Sequence, residues 1–489
     1  MITRPVPNPS FIERSPGYAH QVDALNTGWR RPYFALFWEQ GLGKTKTMIE
    51  QAVMLYLAGE IDGVLIMAPK GAFLNWVLEE IPKHIPADIK YRVAFYSSGA
   101  RTRDKKKADV VSGSAQDDVL DFFAVNIEAL STTLGFTMSV NFCRSHYVLG
   151  IVDESTFIKS PNAKRTKSTT QVGRLCDYRR ILSGTPMTQG PLDLYSQMEF
   201  LAPGLSGHKS YTSFRNEYAQ IVTMTMGTRA FPKVVGYRNQ AELSRKLLTF
   251  SDRKTKAECL DLPDKVFEMA MVEWTPEQER VYRALRDSAV AELDAGLATT
   301  TSALTTLTRL HQINCGYLPL DDNGGIAEIP NNRLSTLMDH IETTDGKIII
   351  WARFRQDIAT ICKALSDAYG ERSVVHYYGA TSMVHRVENL ERFKNDPDCR
   401  FFVANAQSAG RSLTLVHAKM AIYYSLSYSL EEWLQSQDRN HRIGQTEKVT
   451  YVTLAVPNTV DTKLIKALQS KSDVATSILD NYRQMLEID

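Results

Sequence analysis

The segment Gly41-Leu42-Gly43-Lys44-Thr45 constrains this chain more than any other. It follows an apolar run, Tyr33 to Trp38, and opens a stretch whose apolar residues Met48, Ile49, Ala52 and Leu55 recur at helical spacing. A strand, a glycine turn and a helix in that order put the helix N-terminus at the strand's C-terminal edge, where backbone N–H groups and the helix dipole attract a phosphate. Gly41, Leu42 and Gly43 supply the curled backbone; Lys44 is expected to reach the β and γ phosphates, and Thr45 to ligate Mg²⁺. The full pattern for such a loop has glycine where Trp38 stands, which is a departure.

A second segment complements the first. Val148-Leu149-Gly150-Ile151-Val152 reads as a buried strand and ends in Asp153-Glu154-Ser155-Thr156. Two adjacent carboxylates at the C-terminal edge of a parallel strand suit phosphate chemistry: Asp153 is expected to hold the metal, and Glu154 to orient and deprotonate a water.

Short apolar strands alternate with longer amphipathic stretches along the whole chain, the pattern of parallel sheets flanked by helices. Strands are expected at Tyr33 to Trp38, Gly63 to Ala68, Phe122 to Val125, Tyr147 to Val152 and Arg180 to Leu182, and again at Lys347 to Ala352, Ser373 to Tyr377, Arg400 to Ala404, Met420 to Tyr424 and Val449 to Leu454. The class is α/β, one unit used twice. Between the halves, Thr275 to Leu297 and Thr301 to Ile313 have helical periodicity and read as an insertion reaching to about residue 330, with Asp321 to Asn332 as a surface turn. The division is expected near Ser244 to Asp252, giving domains 1–245 and 246–489.

Composition narrows the partners. The 489 residues are 43% hydrophobic and 23% charged, enough for more than one core. Lys plus Arg is 57 against 55 for Asp plus Glu, a net charge of +2, so any phosphate-binding surface is a local groove. Cys143, Cys176, Cys259, Cys315, Cys362 and Cys399 are scattered and suit buried thiols in a reducing cytosol, with neither a zinc site nor a disulfide framework indicated. No apolar run approaches the ~18 residues of a membrane span, and residues 1–17 lack the core of a signal peptide, so a cytoplasmic protein without a membrane partner is expected.

Further segments carry a resemblance. Gln21, upstream of the glycine loop, stands where superfamily-two helicases keep an adenine-reading glutamine. Leu182-Ser183-Gly184-Thr185-Pro186 resembles the third motif of that superfamily, which couples the nucleotide site to the nucleic-acid track. Gln435-Ser436-Gln437-Asp438-Arg439-Asn440-His441-Arg442-Ile443-Gly444-Gln445 resembles the sixth motif in its SWI/SNF-type branch of double-stranded DNA translocases. Ala68-Pro69-Lys70 with Asn75-Trp76, Lys159-Ser160-Pro161, Arg253-Lys254-Thr255-Lys256 and Lys347 to Trp351 are similar to other segments of that branch. The match runs from about Gln21 to Leu454, the whole motor, and implies a compact motor-only member of viral, bacterial or archaeal source, in the host cytoplasm if viral.

The resemblance implies two tandem RecA-like lobes, ATP and Mg²⁺ as cofactors, and double-stranded or branched DNA as partner. Arg439 and Arg442, three apart and so on one face of an expected helix, would act as arginine fingers on the γ phosphate. Gly410, in the Ser408 to Leu415 segment that resembles the fifth motif, would contact nucleotide. Lys70, Asn126 and Gln189 in the first half and Arg353 and Ser408 in the second would grip the phosphate backbone. The run Arg101 to Lys107 reads as a solvated loop, and Tyr18 as a core residue rather than an adenine stack.

Two segments depart from the family pattern. Thr156 stands where the family has histidine, so the link from the acidic motif to the third motif is carried by a hydroxyl or lost. Ala409 and Ser412 stand where the fifth motif has glycines. The implied function is an ATP-dependent translocase on duplex DNA that remodels branched DNA or displaces bound proteins. Alternatives are a strand-separating DNA or RNA helicase, with the insertion as wedge, and an ATP-gated binding adaptor.

Overall fold

In the computed structural model, residues 17–69, 72–97, 102–226, 229–294, 300–320, 325–409 and 413–484 are described. The chain divides into two compact units, one built mainly from residues up to Asp261 and one from Leu262 to Ser472. Each has its own parallel sheet.

The strands of the first unit are β1 (Tyr33–Trp38), β2 (Gly63–Ala68), β3 (Tyr91–Tyr96), β4 (Leu120–Asn126), β5 (Val148–Asp153) and β6 (Tyr178–Leu182). Then come β7 (Ala219–Met226), β8 (Arg229–Tyr237) and β9 (Ser251–Lys254). The main sheet has the order β3-β4-β2-β5-β6-β1-β9, while β7 and β8 form a separate two-stranded sheet. Every ladder of the main sheet is parallel. Both faces of the central strands are covered, so β1, β2 and β5 are largely apolar and still alternate between two cores. Phe34, Leu36 and Trp38 enter one core, and Ala35 and Phe37 the other.

The second unit contains β10 (Lys265–Met271), the short antiparallel pair β11 (Tyr317–Pro319) and β12 (Ile326–Glu328), β13 (Lys347–Trp351), β14 (Val374–Tyr377), β15 (Phe401–Ala404), β16 (Ala418–Tyr423) and β17 (Val449–Ala455). Its parallel sheet runs β10-β17-β16-β13-β15-β14. Along β13, Ile349 and Trp351 face one core and Ile348 and Ile350 the other. The helices Pro276–Asp294 and Thr300–Asn314 lie between β10 and β11, at the place of the expected insertion.

Several expectations change. Residues 251–254 pair with β1, Ala35 opposite Ser251 through Trp38 opposite Lys254, so the first unit extends past 245 to Asp261. A polar four-residue edge strand, Ser-Asp-Arg-Lys, carries no apolar signal. Within Asp321 to Asn332, Ile326–Glu328 pairs with Tyr317–Pro319, while 321–324 lie outside the described residues. The basic run is helical from Thr102, within the helix Thr102–Gly113, with Arg103, Lys106 and Lys107 exposed. Tyr18 is 43% exposed, not a core residue. Among the described residues, no helix is long and apolar enough to cross a membrane and no group of three or more His, Cys, Asp or Glu residues could hold a metal ion. None of the six cysteines forms a disulfide, and four of them are buried.

Candidate nucleotide site

The glycine loop sits where the fold requires it, between β1 and the helix Lys44–Leu57. Gly43 is the helix N-cap at φ 80°, in the left-handed region, and a Cβ there would come within 2.1 Å of Gln21 Nε2. Glycine is thus demanded twice, by the turn and by its neighbour. The neighbour braces the loop: Gln21 Nε2 donates to Leu42 O at 3.1 Å, and His20 Nε2 lies 2.9 Å from the same carbonyl. Both side chains come from the helix Ala19–Gly28 and are buried.

Trp38 replaces the expected glycine because its side chain is part of the loop's support. Its ring meets His20 edge-on with centroids 4.9 Å apart, and its Nε1 donates to Asp252 Oδ2 of β9 at 2.5 Å. Lys44 is buried, and its ammonium donates to Trp38 O at 2.9 Å and Glu39 O at 3.3 Å. Thr45 is half-buried one residue later.

The carboxylates lie at the C-terminal end of β5, separated from β1 by β6 alone. Asp153 Oδ2 accepts from Trp76 Nε1 at 2.8 Å, and its Oδ1 from the Glu154 N–H at 2.9 Å. Burial, and then the charge of Glu154, push the Asp153 carboxyl up to about 6 against the pull of Trp76 and Lys44. Glu154 stands at φ 52°, a left-handed conformation that costs a non-glycine residue about 1 kcal/mol or more. Its Oε1 accepts from Gln40 Nε2 at 2.6 Å, joining the carboxylates to the residue before Gly41. Its Oε2 is buried without a hydrogen-bond partner. The segment after β6 closes the site's third side: a Cβ on Gly184 would lie 3.3 Å from both Gln40 N and Trp38 O.

The anchor of the bracing helix gave no motif signal. Arg180, in the middle of β6, is fully buried; its Nη2 donates to Gly28 O at 3.1 Å and Trp29 O at 2.9 Å, and its Nε to Gln51 Oε1 at 3.0 Å. Gln51 in turn donates to Ala24 O at 3.2 Å. Two carbonyls at the end of the helix that carries Gln21, and one in its middle, are thereby tied to the sheet and the loop helix. The sequence hint was an arginine inside a strand that is buried on both faces, which needs a set of acceptors.

In the second unit, the helix Leu430–Gln437 ends before the arginines, so Arg439 and Arg442 do not share a helical face. Tertiary hydrogen bonds take over beyond Asp438. Asn440 Nδ2 donates to Ala418 O at 3.2 Å, and Gln445 Nε2 to Val416 O at 3.0 Å. The turn still aligns the pair, since Nη1 of Arg439 and of Arg442 lie 3.5 and 3.4 Å from Leu413 O.

Of the expected DNA contacts, Gln189 is exposed and Ser408 and Arg353 are half-buried, Arg353 packing over Phe354 and Tyr428 at 5.1 and 5.3 Å. Asn126 is a correction: it is buried, donating to Glu128 at 2.6 Å and accepting from the Ala129 N–H, so it caps the turn after β4. An Asn that ends a strand favours such a turn over a ligand contact. Lys70 and Gly410 lie outside the described residues.

Residues 34–317 match the family profile described as SNF2-related domain, and residues 332–444 the one described as helicase conserved C-terminal domain. An uncharacterized ATP-dependent helicase of Mycoplasma pneumoniae is 24% identical over 449 residues, which is 90% of this chain and 40% of that protein. The DNA annealing helicase and endonuclease ZRANB3 of Homo sapiens is 25% identical over 458 residues, 92% of this chain and 39% of that protein. The chain thus spans about two fifths of the length of these curated relatives. The Sulfolobus solfataricus SWI2/SNF2 ATPase core in complex with dsDNA is 23% identical, with 99% of this chain and 97% of that chain covered and a TM-score of 0.43.

Proposed function

Because this chain belongs to the SNF2-related family of nucleic-acid-dependent ATPases, we propose that it uses ATP hydrolysis to move along double-stranded DNA, remodelling branched DNA or displacing bound proteins. The observation that carries the reading is the 2.6 Å hydrogen bond from Gln40 to Glu154, which sets the water-orienting carboxylate against the phosphate loop in one rigid site.

In this reading the loop N–H groups and Lys44 bind the β and γ phosphates. Glu154, fixed by Gln40 through one oxygen, presents the other to a water and takes its proton. The donor set suits Mg²⁺: two buried carboxylates side by side, one raised by burial and its neighbour's charge, leave a surplus of negative charge that a cation offsets. Thr45 and Asp153 would hold that ion, which neutralises charge on the transferred phosphoryl group. Arg439 and Arg442 are assigned to the charge that develops on the same group. The phosphate backbone, contacted at Gln189, Arg353 and Ser408, carries no sequence information, so movement would be independent of sequence.

The test is steady-state ATP hydrolysis alone and with linear duplex DNA, single-stranded DNA, a fork and RNA, beside Lys44→Ala. Stimulation by duplex or fork DNA that is lost in Lys44→Ala is expected, followed by displacement of a triplex-forming strand. Best stimulation by RNA or single strands would replace the reading with a strand-separating helicase. A Lys44-dependent rate that no nucleic acid stimulates would replace it with an ATP-gated adaptor.

A further inference from the structure

We propose that Gln197 is a positioning residue that couples the nucleotide site to the segment following β6, acting through the hydroxyl of Ser155. The proposal rests on the motor reading above, because it names the part of the first unit that transmits the nucleotide state.

Ser155 follows Glu154 directly and is fully buried; its Oγ donates to Gln197 Oε1 at 2.6 Å. Gln197, on the helix Leu194–Leu201, is also fully buried, and its Nε2 donates to Pro186 O and Asp193 O, both at 2.8 Å. A primary amide has one carbonyl acceptor and two N–H donors, and each is used here. Leucine or methionine can reproduce none of the three bonds, and glutamate only the one to Ser155. The neighbouring hydroxyl offers no second route, since Thr156 Oγ1 is buried without a hydrogen-bond partner.

The far end of the relay is equally well held. Asp193 Oδ2 accepts from the Thr188 N–H at 2.9 Å, the Thr188 hydroxyl at 3.1 Å and the Gln189 N–H at 2.9 Å. Lys159 Nζ donates to the same hydroxyl at 2.5 Å, and the Lys159 carbonyl accepts from Ser196 Oγ at 3.3 Å. The segment 186–189 therefore moves with Asp193 and Gln197, and it ends on exposed Gln189. A displacement of Glu154 and Ser155 reaches Gln189 through packed, hydrogen-bonded groups that have little freedom to absorb it.

The test compares Gln197→Leu, Ser155→Ala and the double variant with the unsubstituted chain. Hydrolysis is measured without DNA and at saturating duplex, together with the DNA concentration for half-stimulation and the melting temperature. Expected is a loss of about tenfold or more in the DNA-stimulated rate in each variant, with the DNA-free rate within about twofold. The double variant should melt above Gln197→Leu, because the Ser155 hydroxyl is then no longer buried without its acceptor while Pro186 O and Asp193 O lack the same donor in both, yet remain unstimulated. A melting temperature that recovers together with stimulation would assign the pair to stability alone and overturn the proposal. So would rates with and without DNA that fall in parallel, or stimulation that survives. Should Gln197→Leu fail to fold, Ser155→Ala, which removes a single hydrogen bond, carries the same prediction. Failure of the motor reading shows separately, as absence of stimulation in the unsubstituted chain.

Discussion

Gln40 and Glu154 meet amide to carboxylate at 2.6 Å, across the width of the strand β6 that separates β1 from β5. The contact sets the direction of the only Glu154 oxygen left unpaired, so the identity of residue 40 should control turnover. Gln40→Glu would place a second negative charge against Glu154 and is expected to slow hydrolysis by about tenfold or more. Gln40→Leu, which removes the donor without adding charge, should slow it by only a few-fold. Rates of both variants and the unsubstituted chain at saturating ATP decide the matter, and a Gln40→Leu rate equal to that of the unsubstituted chain would show that the hydrogen bond does not orient the carboxylate.

Glu154→Gln keeps the shape of the side chain and an oxygen for Gln40 but removes the proton acceptor. Turnover is expected to fall by about 10² to 10⁴ while nucleotide still binds. Equilibrium binding of a fluorescent ATP analogue should give nearly the same Kd as the unsubstituted chain. Loss of binding would mean that Glu154 holds the nucleotide rather than the water.

The parts of this site that were legible in the sequence are those with a fixed local spacing. Strand, glycine loop and helix around Gly41 to Thr45 follow from chain-local geometry, and β1 and β2 are found with the bounds expected of them. What the sequence did not reveal is held by partners far apart along the chain. Trp76 reaches Asp153, Arg180 reaches Gly28, and Gln40 reaches Glu154. Two edge strands were missed for a related reason: β9 is polar, and β10 exposes Phe267, Met269 and Met271 instead of burying a continuous run. The helical placement of Arg439 and Arg442 failed because Asn440 and Gln445 make tertiary hydrogen bonds that outweigh the local preference for continuing a helix.

Arg180 should matter for stability and for nucleotide together. Its guanidinium is held below the usual arginine range, at about 9, chiefly by burial, and its acceptors lie at the end of the helix that carries His20 and Gln21. Arg180→Leu would leave Gly28 O, Trp29 O and Gln51 Oε1 without this donor, at a cost of about 3 kcal/mol or more. Urea unfolding should show a lower midpoint, and the KM for ATP should rise as Gln21 loses its support. A stability loss with unchanged KM would separate the helix anchor from the nucleotide site.

His311 and Asp357, both in the second unit, should give opposite pH dependences of stability. Burial pushes the His311 imidazole down to about 4, even though Asp461 lies 3.7 Å from its Nε2. The unfolded chain therefore binds a proton there below about 6.5 that the folded chain refuses until about 4, and acidification through this window favours unfolding. Asp357 is pushed up to about 7, again chiefly by burial, so the folded chain keeps a proton that the unfolded chain releases near 3.8. Its contribution is present at low pH and is lost as pH rises toward 7. Between pH 4 and 6.5 the two effects oppose each other. Asp357→Asn should make the chain lose stability more steeply on acidification than the unsubstituted protein does. His311→Gln should flatten or reverse the loss, with a difference of up to about 3 kcal/mol between the ends of the window. Urea midpoints at several pH values for the three proteins provide the comparison, and a His311→Gln profile parallel to that of the unsubstituted chain would show that the imidazole is charged in the folded state.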